Sequence, residues 1–307
     1  QTRGGRGFFR PLFFNMELFK ALEVVFPVFC IIGLGYLFAR FKKLSLEPII
    51  EVLLYLTIPA LVISSLSKKK LVMTDLAVVS LSALIVILGT GLLAYIYLRV
   101  IKRQDLRGFY LPVMFMNSGN MSFPLALLAF GPDGLAVAVL YYVAVSVMVY
   151  SLGIYIAKGK GGFTEMLRLP LIYAAAAGII LNLYGITLPE PLVTTFDMLG
   201  AATIPLMQIS LGYGLYSTKL AYPITSIAGT VLRIGGGVAI AWAVITLFGV
   251  EGLNQKIILL SSGMPAAVIN FVVSHRYKVN SDLVASTVAL STLASVITTP
   301  LILMWIM

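Results

Sequence analysis

Charged side chains are scarce in this sequence. Only 11% of its 307 residues are charged, whereas 60% are hydrophobic, and the mean hydropathy is +1.00. A water-soluble domain cannot cover so large an apolar fraction, because positions that face water need polar side chains. The composition therefore excludes a soluble globular protein and predicts a chain that lies almost entirely within a lipid bilayer.

Cysteine and histidine are nearly absent, with one residue of each. A lone Cys30 can form neither an intrachain disulfide nor a thiolate metal cluster. The sequence also contains no nucleophile–histidine–acid set, no HExxH motif and no phosphate-binding loop. We therefore expect no enzymatic activity, no catalytic residue, no metal and no cofactor.

Acidic residues are outnumbered by basic ones, 12 to 22. The resulting pI of 9.6 is common in nucleic-acid-binding proteins. Here, however, the Lys and Arg residues stand in short turns between apolar runs, which is their usual place in membrane proteins. The expected partner is the lipid bilayer, and no binding to nucleic acid is expected.

Long apolar runs are what the sequence has in abundance. About 20 apolar residues span the hydrocarbon core as a helix, and ten such runs follow one another: 17–39, 47–66, 75–99, 107–130, 134–157, 166–185, 190–217, 222–248, 253–275 and 281–306. The sequence therefore predicts an all-α membrane protein with ten transmembrane helices, multi-pass in the plasma membrane. Residues 1–15, which precede the first methionine, are treated as an N-terminal extension.

The distribution of basic residues predicts the orientation. Connectors after odd-numbered runs carry thirteen of them: Arg40, Lys42, Lys43, Arg99, Lys102, Arg103, Arg107, Lys158, Lys160, Arg168, Lys219, Arg276 and Lys278. The opposite side carries eight, and three of those form the Lys68–Lys70 triplet, which argues the other way. Positive charge favours the cytoplasmic side, so both termini are expected outside.

The second half of the chain echoes the first. LTIPALVISSL at 56–66 matches ATIPLMQISLG at 202–212, which places Pro59 and Pro205 146 residues apart, and two glycine-bearing landmarks recur at nearly the same offset. Five runs per half is an odd number, so the second half must enter the bilayer from the opposite side. We therefore predict two inverted five-helix repeats, 16–158 and 159–307, a construction typical of secondary transporters.

Two stretches of the sequence disfavour a continuous helix at equivalent places in the two halves. FMNSGNMSFP, 115–124, interrupts the fourth run, and SSGMPAAVIN, 261–270, interrupts the ninth. A broken helix exposes backbone N–H and C=O groups, which must be packed in protein or line a wet cavity within the membrane. Paired breaks of this kind indicate a binding site near the bilayer midplane, and a half-helix N-terminus suits a carboxylate.

Several polar and proline residues are candidates for this site. The two breaks supply most of them, and one further glutamine follows Pro205: Asn117, Asn120, Pro124, Ser262, Pro265, Asn270 and Gln208. The asparagines are expected to donate side-chain N–H bonds to an anion. For Gln208, a helix–helix hydrogen bond is the alternative.

Two segments of the sequence resemble the auxin efflux carrier family, whose plant members are the PIN transporters. They are NSGNMSFPLALLAFG at 117–131 and the segment 264–300, which begins MPAAVINFVVSHRYKVN. The resemblance includes an asparagine seven residues before the crossover proline, here Asn117 and Pro124. It implies ten helices in two inverted repeats, with the broken fourth and ninth helices crossing. Helices one, two, six and seven would form a dimerising scaffold and the rest a mobile transport domain. Implied substrates are organic anions, typically small carboxylates including indole-3-acetate.

The sequence departs from the plant members in two places. Asn270 stands where those members have a second crossover proline, so the ninth helix is expected to break nearer Gly263–Pro265. The connector between Lys158 and Arg168 is short, whereas many plant members have a long cytoplasmic loop there. Regulation by loop phosphorylation is therefore not expected. A prokaryotic source is expected.

Ionisable residues within the runs narrow the mechanism. None of the twelve acidic residues falls in either break, so the midplane carboxylate of a sodium/proton antiporter is missing. Arg233 lies inside the eighth run and either snorkels or pairs with an acid at a span end, or adds positive potential to an anion cavity. His275 is expected at the membrane interface, with proton sensing as the alternative.

These observations predict a secondary transporter, an efflux carrier that moves small organic anions by elevator-like alternating access. A ligand sensor or receptor on the same fold, and an anion channel, are the alternatives. Sodium coupling, proton coupling and uniport all stay open.

The predicted orientation can be tested with single cysteines in a Cys30→Ala background. Thr164→Cys, in the connector between the fifth and sixth runs, should react with a membrane-impermeant maleimide only from the cytoplasmic side. Thr187→Cys, in the next connector, is the matched control and should react only from outside. Reaction of Thr164→Cys in intact cells would overturn the orientation.

Overall fold

The computed structural model describes residues 9–68, 73–216, 218 and 220–307. Its helices are α1 (Phe9–Phe41), α2 (Glu47–Lys68), α3 (Met73–Val100), α4 (Tyr110–Met114), α5 (Ser122–Lys158), α6 (Phe163–Leu167), α7 (Pro170–Leu183), α8 (Glu190–Tyr216), α9 (Pro223–Leu247), α10 (Gly252–Ser262), α11 (Val268–Arg276) and α12 (Ser281–Ile306). Within these ranges the only β-type pairing is an isolated bridge. Residues 1–8 and the basic residues Lys69, Lys70 and Lys219 lie outside the described residues.

Long apolar helices dominate the described part of the chain. Seven of them are long and apolar enough to cross a membrane: α1 from Glu17, α2, α3 from Thr74, α5, α8, α9 and α12. The helix α7 is apolar but shorter. The prediction of an all-helical, multi-pass membrane protein is therefore confirmed. The predicted fourth and ninth runs are the interrupted ones, since α4 is separated from α5 and α10 from α11.

Three of the long helices contain a π-helical turn, and one contains a corner. The π-turns lie at Leu53–Thr57 in α2, Val149–Gly153 in α5 and Leu232–Gly236 in α9. In α5, Gly131 has φ +69° and ψ −166°, and Pro132 follows it. This backbone conformation is available to glycine at little cost, so the helix can change direction there. Such π-turns are frequent at functional sites, and each of these contributes a residue to the site below.

Close backbone contact joins α1 to α8. A Cβ added at Gly212 would overlap the backbone of Ile32 and Tyr36, and one added at Gly35 would overlap the backbone of Ile209. Small residues let membrane helices approach until their backbones touch, and dispersion contacts then hold them together. The two glycines therefore set the spacing of this helix pair.

Polar contacts join α2 to α7 and α8. The Lys68 ammonium pairs with the Asp197 carboxylate, which also accepts a hydrogen bond from the Ser64 hydroxyl. From α7, Asn182 donates from Nδ2 to the carbonyl of Leu66 at 2.8 Å. Together with the glycine contact, these interactions link α1, α2, α7 and α8 into one packed group.

Substitution of Gly212 tests the α1–α8 contact. Gly212→Ala should lower the melting temperature in detergent by several degrees, because the new methyl group must push two backbones apart. Gly214→Ala, in the same helix, is the matched control, since a Cβ there meets nothing within 4 Å and alanine favours the helix. Equal melting temperatures for the two variants would contradict the packing described.

Candidate functional site

The two helix breaks lie directly against each other. Met116 and Ala266 form an antiparallel bridge, Asn117 donates its backbone N–H to the carbonyl of Pro265 at 2.7 Å, and Ala267 donates to the carbonyl of Phe115 at 3.1 Å. Each break thus supplies backbone partners to the other, as membrane burial requires. We call residues 115–121 and 263–267 the crossover.

Local sequence explains where the helices stop and restart. After α4, Phe115 is extended at φ −107°, and before α11, Ala267 is extended at φ −73°, ψ 142°. Pro265 has no N–H to donate within the second break. Pro124 is the third residue of α5, where a missing N–H costs nothing because first-turn donors have no intrahelical acceptor. The break near Gly263–Pro265 that the sequence predicted is therefore the observed one.

Arg233 binds the carboxyl ends of both half-helices at the crossover. It is fully buried, and its Nη1 donates to the carbonyls of Val113 and Met114 at 2.8 and 2.9 Å. Its Nη2 donates to the carbonyl of Ser262 at 2.9 Å. The expectation that Arg233 snorkels or pairs with an acid is wrong, because the guanidinium satisfies helix-end carbonyls that would otherwise stay unpaired in the membrane.

Two hydroxyl pairs connect α5, one near its start and one near its middle, to the carboxyl end of α10. The hydroxyls of Ser122 and Ser261 are 2.7 Å apart, and those of Tyr141 and Ser262 are 2.8 Å apart. All four side chains are buried, so each pair removes two polar groups from an apolar environment. These bonds fix the half-helices relative to each other and occupy the hydroxyl of Ser262.

A cavity of about 140 Å³ opens beside the crossover. Its walls come from α2, the first break, α5, α8 and the start of α11. Most of its lining is apolar, and its polar lining residues are Asn117, Ser118, Asn120, Tyr142, Ser146, Tyr150 and Ser210. None of the described residues that line it is charged. A cavity of this size holds several water molecules or a small ligand.

Asn117 presents an unpaired donor at this cavity. The residue is only 3% exposed, and its Oδ1 accepts a hydrogen bond from the backbone N–H of Asn120 at 3.2 Å. Within the described part of the chain its Nδ2 has no hydrogen-bond partner, and neither do the hydroxyls of Ser118 and Ser210, which also line the cavity. Buried polar groups are almost always paired, so these three atoms are the ones a ligand would satisfy.

The other predicted asparagines already have partners. Asn120 lines the cavity, but its Nδ2 donates across to the carbonyl of Met207 in α8 at 3.0 Å. Asn270 is buried, and its Nδ2 donates to the carbonyl of Phe115 at 2.8 Å. These two Nδ2 groups hold the crossover in place. Within the described residues the Oδ1 of Asn270 has no partner either, but Asn270 does not line the cavity, whereas Asn117 does.

The remaining predicted residues do not line the cavity. Pro265 belongs to the crossover, Pro124 lies in the first turn of α5 and Ser262 ends α10; the carbonyls of Pro265 and Ser262 accept hydrogen bonds. Gln208 is buried in α8, and its Oε1 has no partner among the described residues. His275 is exposed near the end of α11, its ring 5.6 Å from that of Phe271.

Sequence reasoning missed the contribution of α5 to the cavity. Tyr142, Ser146 and Tyr150 all line it, and they recur at intervals of four residues, which places them on one helical face. A polar stripe of this kind in a membrane helix was a usable signal. No comparable pattern in the sequence indicated that Ser210 in α8, or Leu53 and Leu54 in α2, would line the cavity.

Comparison with known proteins agrees with this architecture. The family model described as "Membrane transport protein" matches residues 20–168 and again residues 163–303. An uncharacterized transporter of Methanocaldococcus jannaschii is 26% identical, over 90% of this chain and 96% of that protein. An uncharacterized transporter of Methanothermobacter thermautotrophicus is 29% identical, over 93% and 98%. The two family matches fall one on each half of the chain, and the chain belongs to the membrane transport protein family of auxin efflux carrier, PIN-like proteins.

Proposed function

We propose that the protein is a secondary transporter of small organic carboxylates and that the cavity at the crossover is its substrate site. The observation that carries this proposal is the Nδ2 of buried Asn117, which has no partner among the described residues and belongs to a residue that lines an uncharged cavity. An N–H donor needs an acceptor, and a carboxylate oxygen is the strongest acceptor among common small-molecule groups. The apolar walls suit the hydrocarbon or aromatic part of such a substrate, of which indole-3-acetate is an example in the resembling family.

The backbone around the cavity supports an anionic ligand. Gly119 and Asn120, just before α5, line it, and so do Ala267, Val268 and Ile269 at the start of α11. Helix N-termini carry partial positive charge and free N–H groups, which stabilise anions. Without an arginine in the cavity, the site would bind a carboxylate weakly enough to release it, as transport requires.

The fold we propose has ten membrane-crossing segments in two inverted five-helix repeats. The 37 residues of α5 extend about 55 Å, well beyond the thickness of the hydrocarbon core. The corner at Gly131 would therefore divide α5 into the last part of the fourth segment and the whole of the fifth. The packed group α1, α2, α7 and α8 would be the scaffold, and dimerisation through it follows from the family resemblance. The remaining helices would move as the transport domain.

The geometry of the cavities is compatible with alternating access. The site cavity lies between the proposed scaffold and transport domain and reaches Leu46, directly after the first odd connector. With that connector in the cytoplasm, the cavity faces the side from which an efflux carrier loads. A second cavity of about 570 Å³ lies between α2, α8 and α5 near Lys68, Asp133 and Asp197, where release to the other side would occur.

Flux measurements test the proposed function. Purified protein in liposomes should transport radiolabelled indole-3-acetate with saturation kinetics, and imposed sodium or pH gradients will identify any coupling ion. Binding without flux would indicate a sensor, and flux that does not saturate would indicate a channel. If a panel of small carboxylates shows no binding and no flux, the carboxylate site itself is refuted.

Substitution of Asn117 tests the assigned donor. Asn117→Ala should weaken carboxylate binding about ten- to hundred-fold, because a hydrogen bond to a charged group contributes about 1.5–3 kcal/mol. Asn117→Asp should weaken it further, since it keeps the acceptor for Asn120 but places a negative charge in the cavity. The measurement is the equilibrium dissociation constant, with the melting temperature recorded for each variant.

Asn254→Ala is the matched control for this experiment. Asn254 donates from Nδ2 to Asp75 at 2.8 Å and does not line the cavity, so its removal should leave carboxylate affinity unchanged. If Asn117→Ala instead keeps full affinity and loses stability, the asparagine joins helices and the binding site lies elsewhere.

A further inference from the structure

The charge of Arg233 is directed at helix ends and not at a carboxylate. Within the described residues the ion pairs are Lys68 with Asp197, Arg103 with Asp105 and Lys158 with Glu165. Arg233 itself contacts only carbonyl oxygens through Nη1 and Nη2. A buried cation without a counter-ion is costly, so the carbonyl ends that surround it must supply the compensating negative potential.

The structure reserves space for this arrangement. Arg233 lies in the π-turn Leu232–Gly236 of α9, where the additional residue in the turn shifts the direction of the side chains. A Cβ added at Gly237 would overlap both the Arg233 guanidinium and the Ser262 carbonyl. A glycine is therefore needed where the guanidinium fits between the two half-helix ends.

The half-helix charges at the crossover can be counted. A helix carboxyl end is equivalent to about −0.5 elementary charge and an amino end to about +0.5. Met114 in α4 and Ser262 in α10 are carboxyl ends, and their carbonyls oppose the positive charge of Arg233. The amino ends of α5 and α11, which lie at the cavity, then remain without compensation.

We propose that Arg233 is a positioning residue that sets the sign of the electrostatic potential in the cavity without contacting the ligand. By neutralising the carboxyl ends of α4 and α10, it leaves the amino ends of α5 and α11 to dominate, and the cavity selects anions over cations. This inference rests on the proposed function for its biological meaning. The potential itself exists whether or not a carboxylate is the natural ligand.

A cysteine in the cavity can report this potential independently of any substrate. Ser210→Cys, in a Cys30→Ala background, places one thiol on the cavity wall. Two methanethiosulfonate reagents of the same linker length, one carrying a sulfonate and one a trimethylammonium, then compete for it. The ratio of their rate constants, normalised to the ratio for free cysteine in solution, gives the sign of the local potential. Val272→Cys, more exposed on the same cavity, provides a second position.

The variants separate the charge of Arg233 from its hydrogen bonds. Arg233→Met and Arg233→Gln remove the charge and should each lower the anion-to-cation rate ratio about tenfold, as loss of a unit charge near the site implies. Arg233→Lys keeps the charge and should keep the ratio within about twofold of the parent. Arg107→Met is the matched control, because Arg107 also donates to a carbonyl, that of Ile156, but is solvent-exposed, and it should not change the ratio.

The outcomes distinguish this inference from the proposed function. The role of Arg233 is supported if the parent's normalised anion-to-cation rate ratio is above one, falls in the folded neutral variants and is kept by Arg233→Lys. This holds even if no carboxylate binds. An unchanged ratio in a neutral variant that elutes as a single folded species overturns it, even if carboxylates bind and are transported. Arg233→Gln, which retains two N–H donors, provides the neutral measurement if the methionine variant does not fold.

Discussion

Backbone groups released by a broken helix cannot stay unpaired in a membrane, and this constraint organises the structure around the crossover. The two breaks pair with each other through the bridge between Met116 and Ala266. Arg233 satisfies the carbonyls that end α4 and α10. Removing any one of these partners would expose polar backbone to an apolar environment, so the breaks can exist only together.

The same constraint creates the site. The two breaks pair with each other through most of their backbone donors and acceptors. Asn120 and Asn270 donate in addition to the carbonyls of Met207 and Phe115. The residues that line the cavity then include Asn117, whose Nδ2 has no partner among the described residues, and the amino ends of two helices. A binding site for an anion can thus arise without a charged side chain in contact with the ligand, which suits a protein that must release its cargo.

The sequence predicted the helical membrane architecture and both breaks well, because apolar run length and clusters of Asn, Gly and Pro act locally. The last helix was expected at 281–306 and is observed at Ser281–Ile306. The carbonyl partners of Arg233 were not predictable, since Val113 is 120 residues away. Which asparagine stays unpaired likewise depends on contacts such as Asn120 with Met207, which only the packed structure reveals.

The central claim is that the cavity recognises a negative charge through neutral donors. Equilibrium binding of a matched pair, indole-3-acetate and its neutral isostere indole-3-acetamide, tests this claim most directly. The two ligands have nearly the same shape, so their affinity ratio measures the replacement of a charged carboxylate oxygen by a neutral NH2 group. The carboxylate is expected to bind at least about tenfold more tightly, a difference of about 1.4 kcal/mol. Equal affinities, or tighter binding of the amide, would contradict it.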